Sequence, residues 1–139
     1  MIVLDTSVIY ALLDAADQRH EAAIAWYALL DEDLVTTPLV LAEVDHLATT
    51  HGGPRASRAF RADVKAGAYA VEWWPAAATE AVDVADRYGD LGIGLADGSL
   101  VALAARVGTV SIATFDQRHF RAIIPLSGGA AFRLPPLDV

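Results

Sequence analysis

Asp5, Glu43, Asp97 and Asp116 each stand where a carboxylate is costly. Asp5 ends the opening apolar run Ile2-Val3-Leu4, and Asp116 closes a second one, Ile112-Ala113-Thr114-Phe115. Glu43 and Asp97 interrupt the apolar stripes of two predicted helices. Acidic side chains are rarely buried unless paired or bound to a metal, because lost hydration costs several kcal/mol or more. Four of them along 139 residues suggest a shared reason, and the simplest is a divalent-cation site. Hard oxygen ligands in a chain without cysteine suit Mg²⁺ or Mn²⁺ rather than zinc. Three or four carboxylates can hold two such ions about 3.5–4 Å apart, a spacing suited to phosphodiester hydrolysis. One ion helps ionise the attacking water and the other stabilises the leaving oxygen.

Taken singly, three of the four have ordinary structural explanations. Asp5 could cap the helix that follows it, as could Thr6 or Ser7. Asp97 falls in a first helical turn, where the helix dipole favours an acid. Asp116 could open a turn or cap the short segment Arg118–Ile123. Glu43 has no equally good excuse. Jointly, a metal site is the stronger account.

Strand-like runs alternate with helical patterns along the chain and must position these acids. Strands are expected at Ile2–Leu4, Leu34–Thr37, Ala70–Trp73 and Ser111–Thr114, with a last one at Ala131–Leu134. Helices are expected near Ser7–Leu13, Arg19–Leu30, Leu39–Thr50, Arg55–Ala66, Ala76–Tyr88 and Ala96–Val107. This interleaving implies βαβ crossovers: an α/β three-layer sandwich with a mostly parallel central sheet. Gly52-Gly53-Pro54 separates two of the helices as a hairpin. With no linker or repeat, residues 1–139 read as a single domain. Sites on such sheets gather outside the carboxyl ends of the strands, where Asp5 and Asp116 fall by position alone. At 100° steps, Leu39, Glu43, Leu47, Val40 and Val44 share one arc of their helix, and Asp97 sits between Ala104 and Val101 on its own. Both acids then point towards the sheet.

The composition limits the partners. The chain carries 18 acids against 10 bases, a net charge of −8, so nucleic acid is not held by bulk electrostatics. Nine of the ten bases are arginine. Arg55, Arg58, Arg61 and Lys65 cluster within one helix, and Arg118 and Arg121 follow Asp116. The bland reading is a solvated helix face; the functional one is a rail for a phosphate backbone beside an acidic site. The histidines His20, His46, His51 and His119 show no metal-ligand spacing, and only His119 lies near the acids. No apolar run approaches the roughly 20 residues that span a bilayer, and no signal peptide is evident. A cytoplasmic protein is expected.

Four segments together carry a resemblance: Ile2-Val3-Leu4-Asp5-Thr6-Ser7, the helical Glu43, Leu95-Ala96-Asp97-Gly98-Ser99-Leu100-Val101-Ala102-Leu103-Ala104, and Ile112-Ala113-Thr114-Phe115-Asp116-Gln117-Arg118-His119-Phe120. In this order and spacing the chain resembles the PIN-domain nucleases, and more narrowly the VapC toxins of bacterial toxin–antitoxin pairs. The resemblance runs essentially end to end. It implies that Asp5, Glu43, Asp97 and Asp116 form an acidic quartet that binds Mg²⁺ or Mn²⁺ and activates water. It implies that the hydroxyls of Thr6, Ser7 and Thr114 orient carboxylates or metal-bound water. Gly98 stands where alanine is common in the family. The implied activity is that of an endoribonuclease leaving a 5′-phosphate and a 3′-hydroxyl. The implied partners are a single-stranded or looped RNA substrate, a cognate antitoxin and a second copy of the chain as homodimer. Two rivals are a Mg²⁺-dependent phosphatase or phosphoacceptor domain, which would need a positioned lysine, and an inactive binding module, against which the complete quartet argues. Lys65 is the sole lysine and does not follow a strand.

Overall fold

In the computed structural model, which describes residues 1–138, Ile2, Val3 and Leu4 form strand β1 (Ile2–Leu4), and all three side chains are buried. Successive strand side chains point to opposite faces, so burial of all three means that both faces of the sheet are covered. β1 is central, paired in parallel with β2 (Leu34–Val35) on one side and β3 (Ile112–Ala113) on the other. Ile2 faces Leu34, Val3 faces Val35 and Ile112, and Leu4 faces Ala113. The architecture is the α/β arrangement with a parallel sheet that the alternating pattern implied.

The expected strands at Ala70–Trp73 and Ala131–Leu134 are reduced to isolated parallel bridges, Thr36 with Val71 and Ser111 with Arg133. Both reductions have a local cause. Pro38 opens a helix two positions after Thr36, so β2 offers the 70–73 segment little to pair with. Pro135 and Pro136 lack N–H donors; the segment after Arg133 pairs mainly by accepting, as when Thr114 N donates to the Pro135 carbonyl at 2.9 Å.

The helices are α1 (Thr6–Leu13), α2 (His20–Ala28), α3 (Pro38–Lys65), α4 (Ala77–Arg87), α5 (Leu95–Val107) and the short α6 (Gln117–Phe120), with a 3₁₀ turn at Gly89–Leu91. Two expected helices meet end to end in α3, which breaks at Gly53 (φ 73°, ψ −169°), a conformation that favours glycine. The two arms fold back on one another. Arg61 donates to both carboxylate oxygens of Asp45 at 2.7 and 2.8 Å, yet sixteen residues of continuous helix would span about 24 Å.

Helix α5 is buried without interruption from Gly98 to Ala104, and α4 packs directly against it. The reason glycine stands at 98 is steric: a β-carbon there would collide with the backbone carbonyl of Ala81 in α4. Gly98→Ala must therefore push the two helices apart or bend one of them. Overpacking of this kind costs about 1–3 kcal/mol, so the variant should melt about 3–10 °C below the parent. An unchanged melting temperature would show that α4 yields freely. The position is adjacent to Asp97, which makes the departure from alanine a matched choice with α4 rather than a neutral one.

Candidate metal centre

Asp5 leaves β1 and Asp116 follows the bridge residue Thr114 just beyond β3, so both stand at the carboxyl edge of adjacent parallel strands. Glu43 reaches the same edge from α3 and Asp97 from the first turn of α5. The starts of these two helices are tied together by a buried bond between the hydroxyls of Thr37 and Ser99, 2.8 Å apart, and Ser99 donates onward to the Ala96 carbonyl at 2.6 Å. All four acids line one cleft, together with His119.

Hydroxyls hold the carboxylates. Asp5 is 5% exposed, and its Oδ2 accepts from Thr114 at 2.6 Å and from Ser7 at 2.8 Å. Those two hydroxyls accept in turn from the backbone N–H groups of Asp116 and Phe115, each at 2.9 Å, which fixes their direction. Glu43 Oε1 accepts from Thr6 at 2.6 Å. Asp5 occupies the N-cap position of α1 but makes no side-chain capping bond, so its carboxylate is aimed at the cleft rather than spent on the helix. Asp116 does cap α6, accepting from His119 N at 3.2 Å.

His119, the one histidine near the acids in sequence and without metal-ligand spacing to the others, takes a place among them in the structure. Its Nδ1 lies 2.9 Å from Asp97 Oδ2 and 3.1 Å from Asp116 Oδ2. Ligand atoms of Asp97, Asp116 and His119 all lie within 4.8 Å of one another. The legible signal was its position three residues after Asp116, which one helical turn brings back over the same carboxylate.

The electrostatics follow from burial more than from crowding. Burial pushes the Asp5 carboxyl upward against the lowering pull of Thr114 and Ser7, with Glu43 a smaller raising influence. Asp97 is pushed up to about 6, first by burial and then by the negative charge of Asp5, with His119 acting in the opposite direction. Repulsion between like charges ranks second at Asp97 and last at Asp5.

Two sequence expectations need correction. Glu43 is exposed along the cleft wall rather than buried in an apolar stripe. Val40, Val44 and Ala48 form the core face of α3, while Leu39, Glu43 and Leu47 lie one row over, where Leu47 also lines the cleft. The proposed basic rail is also incomplete. Arg61 is engaged by Asp45, and Arg121 forms a two-pronged pair with Asp138. Arg55, Arg58, Lys65 and Arg118 are exposed and form no ion pair among the described residues, and none of them lines the acidic cleft.

The donor set suits a hard divalent cation: four carboxylates converge with no arginine or lysine in the cleft lining to neutralise them. The sheet and the cleft define the class as a parallel α/β domain with an acidic site at its carboxyl edge, and comparison with known proteins supplies the family. The family model described as PIN domain matches residues 2–124, and the chain belongs to this family. It is 36% identical over 135 residues to Ribonuclease VapC26 of Mycobacterium tuberculosis, covering 96% of this chain and 100% of that protein. Its fold is similar to the crystal structure of M. tuberculosis VapC20, described as a sarcin–ricin loop cleaving toxin, with a TM-score of 0.77 and 25% identity over 84% of this chain and 91% of that one. FitAcB from Neisseria gonorrhoeae shares the fold more loosely, with a TM-score of 0.58 and 24% identity over 84% of this chain and 88% of that one.

Proposed function

We propose that this chain is a divalent-metal-dependent endoribonuclease of the VapC toxin type, with Asp5, Glu43, Asp97 and Asp116 as its metal-holding and catalytic acids. The observation that carries the reading is the convergence of these four carboxylates on one cleft whose lining includes no arginine or lysine. The 36% identity to a protein named as a ribonuclease supports the reaction class, and the all-carboxylate set favours Mg²⁺ or Mn²⁺. Bound cations would supply the positive charge that lowers the pKa of water and offsets charge on the leaving oxygen. The chain's own contribution is rigidity. Ser7 and Thr114 hold Asp5 from one side, Thr6 holds Glu43, and His119 keeps Asp97 and Asp116 together, so the acids need little rearrangement to bind.

The phosphoacceptor alternative lacks its lysine, since Lys65 ends α3 on an exposed face. An RNA substrate, a cognate antitoxin and homodimerisation belong to the same proposal; the likeness to a protein named as a ribonuclease and to one described as a sarcin–ricin loop cleaving toxin supports the RNA substrate. No helix among the described residues is long and apolar enough to cross a membrane.

Metal removal tests the reading. Treatment with EDTA should abolish cleavage of RNA, and adding back Mg²⁺ or Mn²⁺ in excess should restore it. Full activity after chelation and dialysis would contradict the proposal.

A further inference from the structure

A second pocket adjoins the acidic cleft and shares Ser7, Leu47 and Asp116 with it as a common wall. Arg19 lines this second pocket. Its guanidinium is fixed by two contacts: Nη1 donates to the Phe115 carbonyl at 2.9 Å, and the group lies 4.9 Å from the centre of the Phe115 ring. Phe115 immediately precedes Asp116, so these contacts place a positive charge beside the acidic site by two independent anchors. Arg19 forms no ion pair among the described residues, even though Asp17 lines the same pocket. A guanidinium presents five N–H donors in a fixed fork matched to phosphate, and the carbonyl of Phe115 engages only one nitrogen of that fork.

The other bases offer less. Arg61 and Arg121 are held by carboxylates, and the remaining cationic side chains of α3 do not line the cleft. A chain of net charge −8 must draw a polyanion to its most acidic cleft by something local.

We propose that Arg19 is a substrate-binding residue that holds a backbone phosphate of RNA in the pocket beside the acidic cleft, next to the phosphate to be cleaved. The inference rests on the nuclease reading and specifies where the strand runs: from the acids, past Ser7 and Asp116, to Arg19. Because Phe115 anchors the guanidinium before substrate arrives, little side-chain freedom is lost on binding. The arginine holds the strand and does not take part in the chemistry. Its loss should therefore raise KM far more than it lowers kcat.

The test measures binding of a fluorescently labelled, short single-stranded RNA of mixed sequence to Arg19→Met and Arg19→Lys, in parent and in Asp97→Asn backgrounds, over a salt series. Mn²⁺ affinity is measured alongside. Arg19→Met keeps the apolar stem and should weaken RNA binding about tenfold or more, with the slope of log affinity against log salt shallower by about 0.7. Arg19→Lys should recover part of the affinity, and Mn²⁺ affinity should be unchanged in both. Parent-like RNA affinity and salt slope in Arg19→Met, with the parent still cleaving, would overturn the inference and leave the nuclease reading intact; the guanidinium would then be available to a carboxylate of a partner protein. A parallel fall in Mn²⁺ affinity would also overturn it, assigning Arg19 to support of the Asp116 segment. Failure of the parent to bind or cleave any RNA with Mn²⁺ present would remove the nuclease reading and the inference together.

Discussion

Asp97→Asn protein should cleave RNA roughly a thousandfold more slowly than the parent in saturating Mg²⁺, the scale expected when several kcal/mol of metal-based stabilisation are lost. Asp5→Asn should do the same. Each substitution keeps the shape of the side chain and removes one negative charge. The loss would therefore come from charge and ligation rather than packing. Asp5 is the more informative position structurally, because Thr114 and Ser7 both donate to its Oδ2, and an asparagine oxygen can accept the same two bonds. A folded, monodisperse Asp5→Asn protein that cleaves as fast as the parent would remove Asp5 from the chemistry.

The second large effect concerns stability, and its sign changes with conditions. The Asp97 carboxyl is pushed up to about 6 in the folded protein from an ordinary value of 3.8. A folded state that binds its proton more tightly than the unfolded one is favoured at low pH. That contribution is fully present below about pH 4 and is lost as pH rises through about 6. At neutral pH the folded, metal-free protein thus carries a buried negative charge that asparagine removes. Metal-free Asp97→Asn should exceed the parent in stability near pH 8 by roughly 2–3 kcal/mol, a gain of several degrees in melting temperature, and should match it near pH 4. Saturating Mn²⁺ should shrink that advantage by about 1.4 kcal/mol for each tenfold by which the parent binds the ion more tightly, because an ion that favours the folded parent stabilises it by mass action. A melting difference between the two proteins that stays constant from pH 4 to pH 8 would separate Asp97 from this account.

Legibility of the sequence varied with the range of the determining forces. The acids could be found because a carboxylate at the end of an apolar strand, as at Asp5 and Asp116, is a local anomaly. The break in α3 was equally local, since Gly52-Gly53-Pro54 can hardly continue a helix. Glu43 was harder. A helical projection separates apolar from polar rows, but Leu39 and Leu47 turn out to be only partly buried, and Leu47 lines the cleft rather than the core. The strands at Ala70–Trp73 and Ala131–Leu134 had suitable composition, but pairing length depends on the partner, and Pro38 ends β2 after two residues. Arg61 and Arg121 looked free because their partners, Asp45 and Asp138, are sixteen and seventeen residues away. Arg19 was invisible as a site residue because its proximity to Phe115 spans 96 positions.

The central claim is that the four carboxylates form a metal site, and calorimetric titration of Mn²⁺ into parent and Asp97→Asn protein near pH 8 tests it most directly. At that pH the parent's Asp97 is ionised and available as a ligand. The account predicts saturable binding to the parent, with affinity weaker by at least about tenfold in the variant, while both proteins remain folded. Equal Mn²⁺ binding by the two proteins, or no binding by the parent, would contradict it.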